Sequence, residues 1–508
     1  MSAIKELFRV KSLEAYQRDA DSSTMARELT GIDVALIGVG EVIGAGIFTV
    51  TGQAAALHAG PAIVLSFVIS AIACGFAGLC YAEMAALVPV SGSAYAYAYA
   101  TTGEIFGWII GWDLMLEYAV GAATVSVGWS GYLMSFLQSL GIDLGTKFTQ
   151  APFSFADATG FTYNGGIVNA PAVFISLFCT VVLCFGAKQS AWINHALVAV
   201  KLSVILLFLF STFSYIKTEN WSPFIPPRTC DKEGNCHYGS QGVLRACVSV
   251  FFAFIGFDSV SSLAQECKNP KRDMPIGILG SLSVCTVLYV LVSLNLTGIA
   301  HYTTLNSDAP LATAVGLIGL NWLKIFISIG ALAGLTSVIL VSLMAQPRIF
   351  YSMARDGLLP EVFSRLHPKY NTPVLPTIIS GTFCAIAGGL LPLDLLGDLT
   401  SAGTLFAFFL VSLSVMVLRF TRPDLHRPFR VPGGPILVPV LGAGSAMFLI
   451  VTTGTSTVLR LAIWMGVGFL IYFGYGYRHS RIRLESMSGM DGEFGNAPNK
   501  AENKMGMA

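Results

Sequence analysis

Residues 36–52 read Leu-Ile-Gly-Val-Gly-Glu-Val-Ile-Gly-Ala-Gly-Ile-Phe-Thr-Val-Thr-Gly, and this stretch decides the fold. It lies in an apolar run long enough to enter a membrane, yet Gly38, Gly40, Gly44 and Gly46 crowd its middle. Glycine is the poorest ordinary helix former after proline, and it leaves backbone N–H groups open. In hydrocarbon an unsatisfied backbone group is costly, so unwinding is tolerated only beside a buried cavity. Glu41 stands inside the same break, and an ionisable residue at that depth marks a functional site. Close helix packing through small residues is the plainer alternative. Packing glycines, however, call for no neighbouring carboxylate. The break reads as a binding site.

Working outward, the 508 residues are 54% hydrophobic and only 12% charged, with a mean hydropathy of +0.68. Soluble domains carry roughly 25% charged residues. The composition is that of a polytopic membrane protein set in a lipid bilayer. A net charge of +1 without a basic, aromatic-interleaved patch gives no reason to expect nucleic acid. Charges of both signs (Lys5, Glu6, Arg9, Lys11, Glu14, Arg18, Asp19) precede the first apolar run, so no cleavable signal peptide is expected. Eight of the ten cysteines lie in or beside apolar runs and read as small hydrophobes.

Windows of about 20 apolar residues give twelve spans: 32–55, 62–87, 104–137, 170–186, 190–215, 243–264, 276–299, 321–346, 374–391, 397–418, 436–455 and 458–477. A short helix over the outer face is expected at 308–319, and the longest polar loops fall near 138–169 and 216–242. With the N-terminus inside, 22 of the 30 Lys and Arg residues are cytoplasmic, and Lys201 alone is left within the membrane. Such a bias places both termini in the cytoplasm. It places Cys230 and Cys236 outside, in Thr-Cys-Asp-Lys-Glu-Gly-Asn-Cys, where either a disulfide or two free thiols fits.

A second break follows in the sixth window, Phe251-Phe252-Ala253-Phe254-Ile255-Gly256-Phe257-Asp258-Ser259. Again a glycine and an acid interrupt an apolar run. The two breaks open windows one and six, so halves starting there run in opposite directions through the bilayer. Paired interrupted segments at corresponding places in two halves are the sequence sign of a transporter built from inverted repeats.

The segments GVGEVIGAGIFTVTG (38–52), CYAEMAALVPVSGSAYAYAY (80–99), GWDLMLEYAVGAATVSVGWSGY (111–132), FFAFIGFDSVSSLAQECKNPKRDMPIGI (251–278) and QPRIFYSMARDGLLP (346–360) carry a resemblance. Together they resemble the amino acid–polyamine–organocation superfamily, within it the bacterial members of the cationic amino acid transporter branch. The resemblance implies an all-α integral membrane fold, twelve transmembrane helices in a five-plus-five inverted repeat with helices 1 and 6 broken. The expected organisation is a cytoplasmic tail over 1–30, a first repeat over 31–216 and an extracytoplasmic loop over 217–242. A second repeat over 243–420, a closing helix pair with its preceding loop over 421–478, and a cytoplasmic tail over 479–508 complete it.

By the same resemblance, N–H groups around Ala45 and Gly46 hold the carboxylate of an amino acid, beside the breaking residues Gly40, Gly44 and Gly256. Carbonyls near Val42 and of Phe252, Ala253 and Ile255 hold its ammonium, and Phe252 or Phe254 closes over it. Lys201 stands where sodium-coupled relatives bind sodium, so a fixed ammonium replaces that ion and its protonation replaces sodium coupling. Glu117 lies one helical turn past Asp113 and is the candidate cavity acid. Asp258 either touches substrate or caps the broken helix. Glu83 and Glu266 belong to gate or loop contacts, and Met344 to a pocket floor or to packing.

Glu41 departs from the family, whose members carry a small or neutral residue there. It favours a cationic substrate or takes up the coupling proton. Gln265, where relatives have an acid, is a second departure. The implied protein is a proton-coupled, sodium-independent amino acid transporter of the bacterial inner membrane, needing no cofactor, metal or partner subunit. An exchanger is the alternative, and a sensor without transport is a weaker one. With no HExxH, GxSxG or Walker motif, enzyme chemistry is not expected.

Overall fold

The computed structural model describes residues 7–12, 14–16, 27, 29–90, 92–142, 144–156, 160–185, 187–230, 236–307, 309–368, 372–452 and 455–487. Helix α1 (Gly31–Val42) starts on a reciprocal cap. The Thr30 N–H donates to Asp33 Oδ2 at 2.9 Å, and the Asp33 N–H donates to Thr30 Oγ1 at 3.4 Å. Such a box satisfies the first free donors of a helix. α1 stops inside the glycine-rich stretch, where Ile43 turns extended at φ −79°, ψ 92°. Helix resumes at Gly46 and runs with widened turns to Ala59. Gly60, at φ +60°, and Pro61 then turn the chain into α2 (Ile63–Leu87).

The remaining helices are α3 (Ser93–Thr101), α4 (Glu104–Ser139), α5 (Ala170–Cys184), α6 (Ala187–Thr212), α7 (Gly239–Phe251) and α8 (Pro270–Ile299). They are followed by α9 (Pro310–Leu317), α10 (Asn321–Arg355), α11 (Val374–Leu390), α12 (Leu393–Thr421), α13 (Leu437–Thr452) and α14 (Thr455–Ile471). Among the described residues every apolar window of the sequence contains helix, and α9 is the short helix expected there. Among the described residues, eight helices are long and apolar enough to cross a bilayer, and three shorter apolar ones are α5, α11 and α13.

Helix α3 was not legible as one. Its alternation of Ala with Tyr95, Tyr97 and Tyr99 has a period of two, yet all three rings are fully buried. Two small antiparallel hairpins add to the helical plan. β1 (Phe153–Ala156) pairs with β2 (Gly160–Tyr163), and β3 (Thr229–Cys230) pairs with β4 (Cys236–His237). Cys230 faces Cys236 in the backbone register. The two side chains and residues 231–235 lie outside the described residues, and the disulfide alternative with them.

The hairpins mark one end of the bundle. At the other end the N-terminal segment meets α3, α4 and the end of α10: the Lys11 N–H donates to Tyr99 O, and the Glu104 N–H donates to Arg9 O. The chain after α14 returns to the same end, where the Arg481 N–H donates to Asp356 O at 3.1 Å.

Candidate functional site

The two sequence breaks meet in the middle of the bundle. A Cβ placed on Gly46 would stand 2.2 Å from Ala253 Cβ and 2.3 Å from its Cα, a distance only glycine permits. On the other break Gly256 has φ +117°, and a Cβ there would stand 2.5 Å from Glu41 Cγ. The second break itself is a tight turn over Phe252–Phe254 after α7, an extended Ile255, and a new helical stretch over Ser259–Glu266.

Breaking a helix frees backbone groups, and here side chains take up several of them. Lys201, fully buried on α6, donates to Gly40 O, to Ile43 O at 2.8 Å and to Ser337 Oγ at 2.8 Å. Three acceptors match the three hydrogens of an ammonium. Tyr289 Oη, on α8, lies 2.5 Å from Val42 O and 2.6 Å from Ala253 O, bridging the two breaks. Glu41 is held at both oxygens: Ser259 Oγ donates to Oε2, and Ser342 Oγ donates to Oε1 at 3.0 Å. The N–H groups of Gly44, Ala45 and Gly46 open the resumed helix. They have no carbonyl a turn upstream to bond, and so form a donor end suited to an anion.

Around these groups lies a small cavity of about 30 Å³, room for a water or two. Glu41, Val42, Gly44, Ala45, Gly46 and Glu117 line it with Phe252, Ile255, Val338 and Ser342. A larger cavity of about 260 Å³ adjoins it, lined by Thr49, Gln53, Leu57, His58, Thr124 and Ser249. Ala45 and Phe252 belong to both walls, so the Phe252 ring stands where the two spaces meet. The larger one lies at the hairpin end, since Tyr238 and His237 bond Ala56 O and Leu57 O beside it.

Towards the opposite end, polar contacts close the bundle. Arg348 pairs with Glu266 at 2.6 Å, Lys11 with Asp356 at 2.7 Å, and Ser93 Oγ lies 2.6 Å from Ser261 Oγ. Glu83 is buried against Arg419 and Arg427 and accepts the Val431 N–H at 2.8 Å.

Of the residues singled out in the sequence, Gly40, Glu41, Val42, Gly44, Ala45, Gly46, Phe252, Ala253, Ile255, Gly256 and Lys201 thus come together at the paired breaks. Glu117 joins them from α4 with both carboxylate oxygens buried and without a hydrogen bond. The Thr404 hydroxyl is close to it but spends its proton on Thr400 O at 3.0 Å. Asp113 is buried away from the cavity, against Gly403.

Asp258 accepts from the Gly256 N–H at 3.3 Å and from Tyr118 Oη at 3.0 Å, the geometry of a cap on the break. Phe254 lines neither cavity; its ring packs on Phe67 and Tyr289. Met344 packs beside Ile37, Leu263 and Val341. Sequence reasoning missed Tyr289, Ser259, Ser337 and Ser342. A hydroxyl in the middle of an apolar window was the available signal, but most such hydroxyls only bond their own helix.

Two interrupted helices packed break to break inside an apolar bundle, with free backbone groups facing a cavity, define a membrane transporter. The chain belongs to the amino acid permease family, whose model matches residues 29–473. The methylthioribose transporter of Bacillus subtilis is 41% identical over 94% of this chain and 100% of its own. The branched-chain amino acid permease BcaP of the same organism is 44% identical over 94% of this chain and 99% of its own. The vacuolar cationic amino acid transporter 4 of Arabidopsis thaliana is 36% identical over 84% of this chain and 68% of its own. The protein is a multi-pass membrane transporter and not an enzyme.

Proposed function

We propose that this chain is a secondary amino acid transporter, driven by protons and indifferent to sodium, that works by alternating access. The direct contact of the two breaks, Gly46 on Ala253 and Glu41 on Gly256, carries the reading. In it the chain crosses the membrane twelve times as two inverted repeats, 31–216 and 243–420, followed by the pair 421–478. The tails 1–30 and 479–508 are cytoplasmic and the loop 217–242 is extracytoplasmic. The setting is a bacterial inner membrane.

The substrate carboxylate sits on the N–H groups of Ala45 and Gly46, and its ammonium on the second lone pairs of carbonyls at Val42, Phe252, Ala253 and Ile255. Phe252 closes over it, and Glu117 and Glu41 face it from the cavity wall. A cavity of about 30 Å³ must widen for any amino acid to enter. Both Glu41 oxygens already receive serine hydroxyls, and Val42, Val338 and Ile255 make the wall aliphatic. That supports a neutral side chain as cargo and leaves Glu41 to the proton. The names borne by the two Bacillus relatives, for branched-chain amino acids and for methylthioribose, agree with neutral cargo.

Purified protein in liposomes tests this without any partner subunit. An imposed proton gradient should drive accumulation of leucine or alanine equally in sodium and in choline. Uptake that collapses in choline refutes sodium independence; uptake of methylthioribose alone refutes the amino acid assignment.

One observation favours a second reading, obligate exchange. All three Lys201 hydrogens are already matched by acceptors, as in a permanently fixed ammonium. Counterflow that persists with no pH gradient, together with no net proton-driven uptake, would select the exchanger.

A further inference from the structure

Four basic side chains at the end of the bundle opposite the hairpins are committed to a carboxylate. Lys11 pairs with Asp356, Arg348 with Glu266, and Arg419 and Arg427 with Glu83. Lys271 and Arg272, in the first turn of α8, are different. Both are exposed, and neither side chain makes an ion pair or hydrogen bond to another described residue. The nearby acid of that turn, Asp273, is occupied in accepting the Asn269 N–H at 2.9 Å.

These two cations stand at the mouth of a groove of about 490 Å³. Pro275, Ile276, Leu279, Gly280 and Ser283 of α8 form one wall, and Pro428 and Phe429 form the other. Ile276 is 43% exposed in it. The groove therefore has a cationic head and an apolar body. It runs from the start of α8 along the apolar part of a helix long enough to cross the bilayer.

The far wall is not a loose loop. Arg427 Nε lies 3.2 Å from the buried Glu83 carboxylate, the Val431 N–H donates to the same carboxylate at 2.8 Å, and Arg419 holds Val431 O at 3.0 Å. Pro428 and Phe429 lie between these anchors. The first-turn N–H groups of α8, which begins with Pro270, add the positive end of a helix dipole to the two side chains.

We infer that this groove binds an anionic phospholipid. Its phosphodiester sits on Lys271 and Arg272, and one acyl chain lies along Ile276, Leu279 and Phe429. Charge and polarity run in the same order along the groove as along such a lipid, whereas a free phosphate has no use for the apolar body. Basic pockets between membrane helices recognise anionic head groups in this way. Under the orientation proposed above, this is the cytoplasmic leaflet. The site itself does not depend on that orientation, nor on what the protein transports.

The full-length protein is reconstituted in phosphatidylcholine bilayers with and without phosphatidylglycerol, and retained lipid is measured by native mass spectrometry after detergent extraction. The wild type should keep one phosphatidylglycerol more tightly than any phosphatidylcholine. K271Q/R272Q should weaken that lipid about tenfold or more, in keeping with two lost interfacial charges. K271R should retain it. S283F, which fills the apolar body and leaves both charges, should also lose it, so that the result does not rest on the charge variant alone. Equal retention of phosphatidylcholine, wild-type retention by K271Q/R272Q in monodisperse protein, or unchanged retention by S283F would each overturn the site. Displacement of the lipid by inorganic phosphate at matched ionic strength, with S283F unaffected, would show an anion site without a lipid.

Discussion

At the residue scale, Glu41 and Lys201 are an acid and a base buried at one break, and each has its own partners. Glu41 stands among Ser259, Ser342 and Gly256, with Asp258 and Glu117 the nearby acids. In the reading proposed above, Glu41 takes up the coupling proton while the Ser259 and Ser342 hydroxyls hold its side chain in place. Glu41→Gln should therefore bind leucine almost normally but flatten the pH dependence of uptake between acidic and neutral pH. A mutant that keeps the wild-type pH profile would remove Glu41 from coupling. For Lys201→Ala the loss is different in kind. Ile43 O would be left buried without a donor, at about 1–3 kcal/mol, and Gly40 O would keep only the Ser337 hydroxyl at 2.9 Å. The variant should unfold at lower temperature as well as fail to accumulate substrate. Unchanged thermal stability would show that Lys201 does not pin the break. Both residues were visible in the sequence because charge is rare at membrane depth. Their partners were not, because Tyr289, Ser337 and Ser342 come from windows whose rotation about their own axes no periodicity fixes.

At the element scale, a break is held open by what it touches more than by glycine alone. α1 ends because the Gly40, Val42 and Ile43 carbonyls find side-chain donors on α6 and α8 instead of N–H groups one turn on. The second break is pinned by Asp258 on the Gly256 N–H and by the Phe254 ring against Phe67 and Tyr289. The glycines and acids made both breaks legible in the sequence. Helix α3 stayed hidden because a two-residue alternation suggests a half-buried strand, whereas here tyrosines and alanines alike are buried. Gly256 offers the test. Its φ of +117° and the 2.5 Å approach to Glu41 Cγ both oppose a side chain. A residue forced into such a backbone region costs about 1–3 kcal/mol. Gly256→Ala should lower thermal stability by that order and impair uptake more than Gly75→Ala on α2, whose added methyl meets no atom within 4 Å. Equal behaviour of the two would mean that the breaks do not depend on this contact.

At the scale of the whole molecule, the two ends of the bundle differ. A space of about 260 Å³ leads inward from the hairpin end to Phe252, while ion pairs and hydroxyl contacts seal the other end. No sequence pattern foretold which end is closed; under the proposed alternating access the sequence must fit both arrangements, and the asymmetry belongs to one of them. The seal draws on distant parts of the chain. Asp356, at the end of α10, takes Lys11 from the N-terminal segment at 2.7 Å and Tyr95 from α3 at 2.7 Å. In the alternating-access reading proposed above, those contacts part when the sealed end opens, and their strength then sets the balance between the two states. Hydrogen bonds to a charged group contribute about 1.5–3 kcal/mol each, and 1.4 kcal/mol is a tenfold change in an equilibrium. Asp356→Ala should then raise the population open at the sealed end by about tenfold or more. The readout is labelling by a membrane-impermeant thiol reagent, in protein freed of reactive native thiols. A cysteine placed at Ser261, now buried against Ser93, should become reactive in Asp356→Ala. One at Ser249, which lines the larger cavity, should become less so. If both rates stay at wild-type values while the variant remains folded, Asp356 is an anchor for the chain ends and not part of the barrier.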